Sequence, residues 1–298
     1  MKLLLLGGNG QVGRELRRSL SPLGELVVAT RDGSGADVAA DFDAPAALAT
    51  MIRDVRPDVV VNAAAYTAVD KAEADADAAF RINAEAPAAI AAACADTRAL
   101  LVHYSTDYVF DGSASRPYRE DDATAPLGVY GASKLAGEEA IRASGARHAI
   151  LRTAWVYASH GRNFLLTMLR LAGERDELRV VADQVGTPTS AAWIADATAA
   201  VLRHGVTDAG TWHLVASGQT SWHGFASAII EDAHALGLLA RTPTVMPIAT
   251  ADFPTPAQRP ANSVLDTARL RSDFGIVPQD WRDGLRATLR DIGKMGSE

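Results

Sequence analysis

The apolar positions of this chain follow two alternating rhythms. Residues 3–6, 25–30, 59–61, 100–104 and 148–157 are short, nearly continuous apolar runs. Runs of this kind are expected of strands buried on both faces of a parallel sheet. Between them lie longer segments with helical spacing and surface charges, at residues 14–19, 70–96, 127–143 and 163–171. Strand and helix in alternation predict an α/β fold, a Rossmann-type doubly wound parallel sheet. The alternation loosens after Leu171. Apolar stretches at 178–182 and 212–214, a helix over 191–203, six prolines from Pro243 to Pro278 and a closing helix over about 280–292 predict a smaller C-terminal substrate-binding lobe. The expected division is a nucleotide-binding domain of residues 1–155 plus about 187–207, and a second lobe of about 156–186 and 208–298.

Composition narrows the function classes. At 298 residues the chain can bury a sizeable core, and 48% hydrophobic with 22% charged residues is the balance of a soluble globular protein. A net charge of −7 without any basic run argues against nucleic acid as a partner. The single cysteine, Cys94, excludes an intramolecular disulfide and a cysteine-built zinc site, and its alanine-rich surroundings read as a packed helix. The opening apolar run is too short for a signal peptide and passes directly into glycines. No stretch approaches a membrane span. A cytoplasmic location is expected.

The first strand runs into Gly7-Gly8-Asn9-Gly10-Gln11-Val12-Gly13, and a helix follows. Glycines at 7, 10 and 13 let the backbone turn sharply and approach a pyrophosphate at the helix N-terminus, where free N–H groups and the dipole favour an anion. Between a first strand and a first helix, this spacing points to a dinucleotide. An acid at the end of the second strand would bind the 2′-hydroxyl of NAD. Here the run ends in Thr30-Arg31, and a guanidinium suits the 2′-phosphate of NADP. Asp32 follows, so NADPH is favoured and NADH stays open. Asp41 and Phe42 are candidates for the adenine pocket, with Asp43 a helix cap. Asn62-Ala63-Ala64-Ala65-Tyr66-Thr67 ends the next strand, where small side chains admit close approach of a cofactor. The hydroxyls after Tyr104 sit at another strand end, facing the crevice of a doubly wound sheet.

Tyr130 and Lys134 lie four residues apart, one turn along a helix face. A phenol with a pKa near 10 is a sluggish acid at neutral pH. An ammonium at roughly 4 Å, with an effective dielectric near 20, would favour the phenolate by on the order of 4 kcal/mol. That lowers the phenol's pKa by about three units at most and suits it to proton transfer.

These motifs coincide in order, joined by Arg152-Thr153-Ala154-Trp155-Val156-Tyr157. Together they resemble the extended short-chain dehydrogenase/reductases. The stretches 62–73, 103–110, 183–189 and 254–263 resemble, more narrowly, the dTDP-4-dehydrorhamnose reductases over nearly the whole chain. The resemblance implies hydride transfer from NADPH, or less often NADH, to C4 of dTDP-4-dehydro-L-rhamnose, with Tyr130 protonating the oxyanion. It implies that Lys134 holds the nicotinamide ribose and that Thr106 sits by the reacting carbonyl, with Asp107 and Tyr108 beside it. Trp155 matches a sugar-contacting tryptophan. Gln11, Val12, Thr30, Asp41, Phe42, Ala65, Tyr66, Thr67 and Tyr104 match cofactor contacts, and Arg259 and Asn262 would help hold the nucleotide diphosphate.

Some relatives place magnesium between subunits through glutamates. Glu15 matches the first, but the second position reads Ala192, so no magnesium is expected, Glu15 reads as solvated, and the chain is expected to be a monomer or weak homodimer. None of the seven histidines has zinc-site spacing. Two rivals remain. A 4,6-dehydratase would carry Asp-Glu after the threonine, whereas Thr106 is followed by Asp107-Tyr108, and an epimerase would hold NAD tightly. The non-enzymatic rival is an NADP-binding regulatory subunit, as in methionine adenosyltransferase.

Overall fold

The computed structural model describes residues 1–295. The first half runs β1 (Lys2–Leu6), α1 (Gln11–Leu20), β2 (Glu25–Thr30), β3 (Val38–Ala39), α2 (Pro45–Val55), β4 (Val59–Asn62), α3 (Val69–Ala72), α4 (Ala76–Phe80), α5 (Ala86–Thr97), β5 (Leu100–Thr106), α6 (Val129–Ala143) and β6 (His148–Thr153). There follow β7 (Val156–Tyr157), α7 (Phe164–Glu174), β8 (Glu177–Val181), β9 (Val185–Gly186), β10 (Thr189–Ser190), α8 (Ala191–His204), β11 (Gly210–His213), β12 (Thr220–Ser221), α9 (Trp222–Ala235), β13 (Thr244–Ile248), α10 (Ala268–Phe274) and α11 (Trp281–Met295). Seven parallel strands form one sheet in the order β11-β6-β5-β4-β1-β2-β3.

The leucines of β1 explain the layering. Successive strand side chains point to opposite faces. Leu3 and Leu5 pack with Leu16 and Leu20 of α1 and Ile194 and Val201 of α8. Leu4 and Leu6 pack with Leu48 and Ile52 of α2 and Ile90 and Cys94 of α5. All four leucines are fully buried, so β1 lies within the middle layer of a three-layer sandwich, helices packed on both of its faces. Burial pushes the Cys94 thiol up to about 12, in keeping with a core position.

Three elements depart from the sequence reading. The single helix expected over 70–96 is divided into α3, α4 and α5, with one π-helical turn, Arg81–Glu85, between the last two. Pro87 has no N–H to offer the carbonyl of Asn83, so the ordinary i→i−4 ladder cannot pass that point. The strand expected over 148–157 breaks after Thr153, because Trp155 takes a positive φ of 47° before β7 resumes. Residues 210–213, assigned to the second lobe, instead extend the main sheet as β11, paired parallel with β6. Trp212 is 4% exposed in the core beside Leu270 of α10, and its indole N–H donates to Asp273 at 2.9 Å. This large apolar ring closes the sheet edge. Asp43 caps no helix either; it pairs with Arg81 at 2.9 Å.

A separate core gathers Leu165 and Met168 of α7, Leu178 and Val180 of β8, Phe225 and Ile229 of α9, and Leu285 and Leu289 of α11. The parallel pairs β13–β8 and β10–β7 and the antiparallel pair β12–β9 frame it. The β10–β7 pair ties it to the end of β6.

One buried ion pair joins α6 to the sheet. Arg152 of β6 donates to both carboxylate oxygens of Glu138, at 2.9 and 2.8 Å, and Arg142 also reaches that carboxylate. Burial alone would raise the Glu138 carboxyl; the hydrogen bonds and charge of Arg152 outweigh it and hold it below the usual range. The pair therefore stabilises the fold above the ordinary carboxylate pKa and is lost as the pH falls through the depressed value. Replacing Glu138 with leucine leaves the buried Arg152 guanidinium without its carboxylate, with only the Glu120 carbonyl at 3.4 Å to accept from it, and should cost about 3–5 kcal/mol in urea unfolding. A Glu138→Leu, Arg152→Leu double variant should recover most of that loss, and equal stability of single and double variants would show that the pair is not desolvated.

Candidate active site

The glycine turn after β1 is built by contacts that leave no room for side chains. Gly7 has a φ of +80°, and a Cβ on it would lie 2.8 Å from the Ala64 amide nitrogen. A Cβ on Gly13 would lie 2.0 Å from the Gly7 carbonyl oxygen. Gly7 and Gly8 N–H both donate to Ala29 O at 3.0 Å, and Gly10 N–H donates to Gly7 O at 3.0 Å. Helix α1 starts at Gly10 with no side-chain cap and no acid in its first turn. Its leading amides and dipole are thus left to an anion.

That turn forms one end of a cleft of about 880 Å³, a volume suited to a large organic ligand. The cleft lies over the C-terminal ends of β1, β4, β5 and β6 and reaches the second lobe. Of the residues expected to bind cofactor, Gly7, Gly10, Gln11, Val12, Arg31, Phe42, Ala63, Ala64, Ala65, Thr67, Tyr104, Tyr130 and Lys134 line it. Thr106, Asp107, Tyr108 and Trp155 line it too.

Other expected residues stand behind the wall or beside it. Gly13 packs beneath the glycine turn. Thr30 is fully buried, and its hydroxyl donates to Ser34 O at 3.1 Å. Asp41 accepts from the Asp43 N–H at 3.1 Å. Tyr66 is held through its own N–H and carbonyl by Asn83, at 2.9 and 3.1 Å, and its hydroxyl donates to Asp75 at 3.0 Å. Arg259 is engaged by both carboxylate oxygens of Asp70, at 3.0 and 2.8 Å. Asn262 donates to the carbonyls of Ala114 and Arg116, at 2.8 and 3.1 Å.

Several lining residues had no individual signal in the sequence. Asn9 adjoins recognised positions, whereas Arg162, Phe164 and Trp222 come from the second lobe. Trp222 stacks on Trp155 with ring centroids 3.5 Å apart and planes 3° from parallel. Its indole N–H donates to Gln184 at 3.2 Å. A Cβ on Gly186 would come within 2.5 Å of the Trp155 ring, so glycine there makes space for the indole. Thr153 Oγ1 is buried in the lining without a partner among the described residues, a polar group left for a ligand.

Tyr130 and Lys134 share the cleft-facing side of α6. Close seating of the helix requires Gly131, whose Cβ would lie 2.2 Å from Tyr108 O. The expected depression of the Tyr130 phenol does not occur. Burial pushes it up to about 12, Thr106 hydrogen bonding opposes the rise and the Asp107 charge adds to it. Lys134 instead turns its Nζ inward and donates to Tyr104 O at 2.7 Å. Burial pushes Lys134 down to about 8 against the opposing charge of Glu138. Glu15, expected to be solvated, is partly buried and faces His160 at 3.1 Å and Arg18 at 3.7 Å.

Asp107 is the other perturbed group. Burial pushes its carboxyl up to about 6, although the Ser263 and Thr106 hydroxyls pull it down. Thr106 Oγ1 donates to Asp107 Oδ1 at 2.9 Å and accepts from the Tyr108 N–H at 3.2 Å. A carboxyl raised from 3.8 to about 6 favours the fold below the lower value. That advantage is lost as pH rises through the upper one. Asp107→Asn should therefore flatten the stability profile between pH 4 and 6, a difference of about 3 kcal/mol across the range. Urea unfolding of both proteins at several pH values checks this, and parallel profiles would remove Asp107 as the titrating group.

The sequence matches the RmlD substrate binding domain family over residues 1–293. It is 50% identical to a dTDP-4-dehydrorhamnose reductase of Burkholderia thailandensis, covering 98% of this chain and 99% of that protein. It is 47% identical to the enzyme of the same name from Escherichia coli K12, over 98% of each. Among solved structures, a dTDP-4-dehydrorhamnose reductase from Clostridium acetobutylicum superposes with a TM-score of 0.90 at 37% identity, over 98% of this chain and 100% of that one. The Bacillus anthracis reductase in complex with NADP gives 0.89 at 33% identity, over 97% and 99%. With its glycine turn, its Tyr130/Lys134 helix and its second lobe all inside the matched span, the chain belongs to the RmlD substrate binding domain family.

Proposed function

We propose that this protein is an NADPH-dependent reductase of the C4 keto group of dTDP-4-dehydro-L-rhamnose, yielding dTDP-L-rhamnose. The observation that carries the reading is the half-buried phenol of Tyr130, held with Thr106 and Lys134 in one cleft that starts at an anion-ready helix terminus. When bound, NADPH supplies the hydride. The α1 amides and the Gly7–Gly13 turn suit its pyrophosphate, Arg31 its 2′-phosphate and Phe42 its adenine. Asp32 also lines that end of the cleft and leaves NADH as a weaker alternative.

Thr106 donates to the substrate's C4 oxygen, exchanging Asp107 for the carbonyl as acceptor. Tyr130 Oη gives its proton to that oxygen as negative charge develops. Its elevated pKa keeps the acid loaded at neutral pH. The phenolate left behind is stabilised by the Lys134 ammonium and regains its proton from solvent. Trp155 and Tyr108 form the apolar wall for the 6-deoxy sugar. Arg259 binds the nucleotide diphosphate by exchanging Asp70 for phosphate oxygens, and Asn262 secures the loop at 114–116. The second lobe, less β11, acts as the sugar-nucleotide lobe.

We read the enzyme as metal-independent, because Glu15 is committed to His160 and Arg18 and Ala192 offers no ligand. Among the described residues, no helix is long and apolar enough to cross a membrane. A cytoplasmic monomer or weak homodimer is the working assignment.

Mixing the protein with NADPH and dTDP-4-dehydro-L-rhamnose should consume reduced-nicotinamide absorbance. A folded protein that leaves it unchanged overturns the assignment. Tyr130→Phe should lower turnover by roughly 10²–10⁴-fold, the range for loss of general acid catalysis, with NADPH affinity nearly intact. Wild-type turnover in that variant would remove Tyr130 from the proton transfer.

A further inference from the structure

Beneath Lys134 lies His103, fully buried on β5 and without a part in the steps above. Its neighbours dictate where its proton sits. The Ala64 N–H donates to Asn62 Oδ1 at 3.1 Å. The Asn62 amide must therefore turn its NH₂ toward His103, where Nδ2 stands 3.1 Å from Nδ1. Nδ1 accepts that bond, so the imidazole is neutral and carries its proton on Nε2.

His103 Nε2 lies 3.3 Å from Lys134 Nζ. An N–H facing an ammonium is a contact between two donors. The arrangement is satisfied when Nζ is an uncharged amine, which accepts from His103 Nε2–H and donates to Tyr104 O at 2.7 Å. Building on the reductase reading, we propose that His103, oriented by Asn62, is a positioning residue that stabilises the free-amine form of Lys134 in the unliganded enzyme, so that NADPH binding shifts Nζ toward the ammonium by drawing a proton onto it.

The electrostatics act in the same direction. Burial lowers Lys134 to about 8 and holds His103 well below its ordinary value, with the Lys134 charge adding to the effect on His103. From α6 itself, Glu138 favours the ammonium, but its charge is shared with Arg152 and Arg142. From β5, Tyr104 is kept neutral by burial, as is Tyr130 on α6, and neither offers a counter-charge. The bound cofactor adds negative charge to the cleft, which favours the ammonium that the phenolate needs. Loading of the acid–base pair is thereby linked to loading of the cofactor.

The wild-type protein without cofactor gives the first test. Long-range ¹H–¹⁵N spectra should show His103 as the neutral Nε2–H tautomer across the titration of Lys134, and an Nδ1–H tautomer or an imidazolium overturns the proposal. The second test is calorimetry of NADPH binding near pH 8, in buffers of differing ionisation heat. Wild type should take up a proton. His103→Phe should take up much less, with the basic limb of its kcat/KM profile raised by about one pH unit, a tenfold change in proton affinity of the size of one hydrogen bond. His103→Gln, which retains an N–H donor, should restore the uptake. Equal uptake by folded wild type and His103→Phe overturns the proposal. If His103→Phe fails to fold, the wild-type tautomer decides alone. Failure of the reductase reading shows separately, as wild type that binds NADPH without oxidising it.

Discussion

The burial of Lys134 between α6 and the end of β5 is the constraint on which the site depends. A lysine fully out of water must find acceptors or lose its charge, and here the Tyr104 carbonyl is the acceptor. That bond fixes the rotation of α6 about its axis, and with it the entry of Tyr130 into the cleft one turn earlier. Two glycines let the helix come close enough. Gly131 sits against Tyr108 O, and Gly137 sits where a Cβ would be 2.1 Å from Asn83 O. Asn83, in the π-helical turn, in turn holds Tyr66 and donates to Ser133 of α6 at 3.0 Å. The interruption in the helix before α5 is thus part of what positions α6.

The second constraint is the strained backbone at Trp155. A bulky residue at positive φ costs of order 1–3 kcal/mol and persists where its surroundings hold it. In this fold the turn swings the indole out of the strand and onto Trp222, which Gln184 orients from the second lobe. Phe164 completes the cluster, 4.7 Å from Trp222 between ring centroids. The aromatic contact bridges the sheet and the second lobe directly at the cleft, so the mouth of the site is shaped by both parts of the chain. Arg259 and Asp70 make a polar bridge between the same two regions.

Much of this was legible in local pattern. The apolar runs of β1, β4 and β5 announce strands buried on both faces. The glycines at 7, 10 and 13 announce a backbone that must approach itself and an anion, and Tyr130 and Lys134 announce a shared helix face. The absence of a glutamate after Asp107 spoke against dehydration chemistry before any coordinates. Each of these signals is carried by residues close together in the chain, where geometry follows from helical or strand spacing alone.

What the tertiary structure decided rests on contacts between distant residues and on exclusion of water. Trp212 joined the main sheet because a large ring was needed to close its edge against α10. Arg259 and Asn262 were engaged by partners far away in sequence. The pKa of Tyr130 moved up where the Tyr-x-x-x-Lys spacing alone pointed down, because burial outweighs the Thr106 hydrogen bond and Lys134 turns its Nζ away to a backbone carbonyl. The chain from Asn62 through His103 to Lys134 draws on β4, β5 and α6. Local spacing determined which residues are candidates for the chemistry, and only the folded packing sets their protonation, because protonation depends on burial and on donors and acceptors brought together from separate strands.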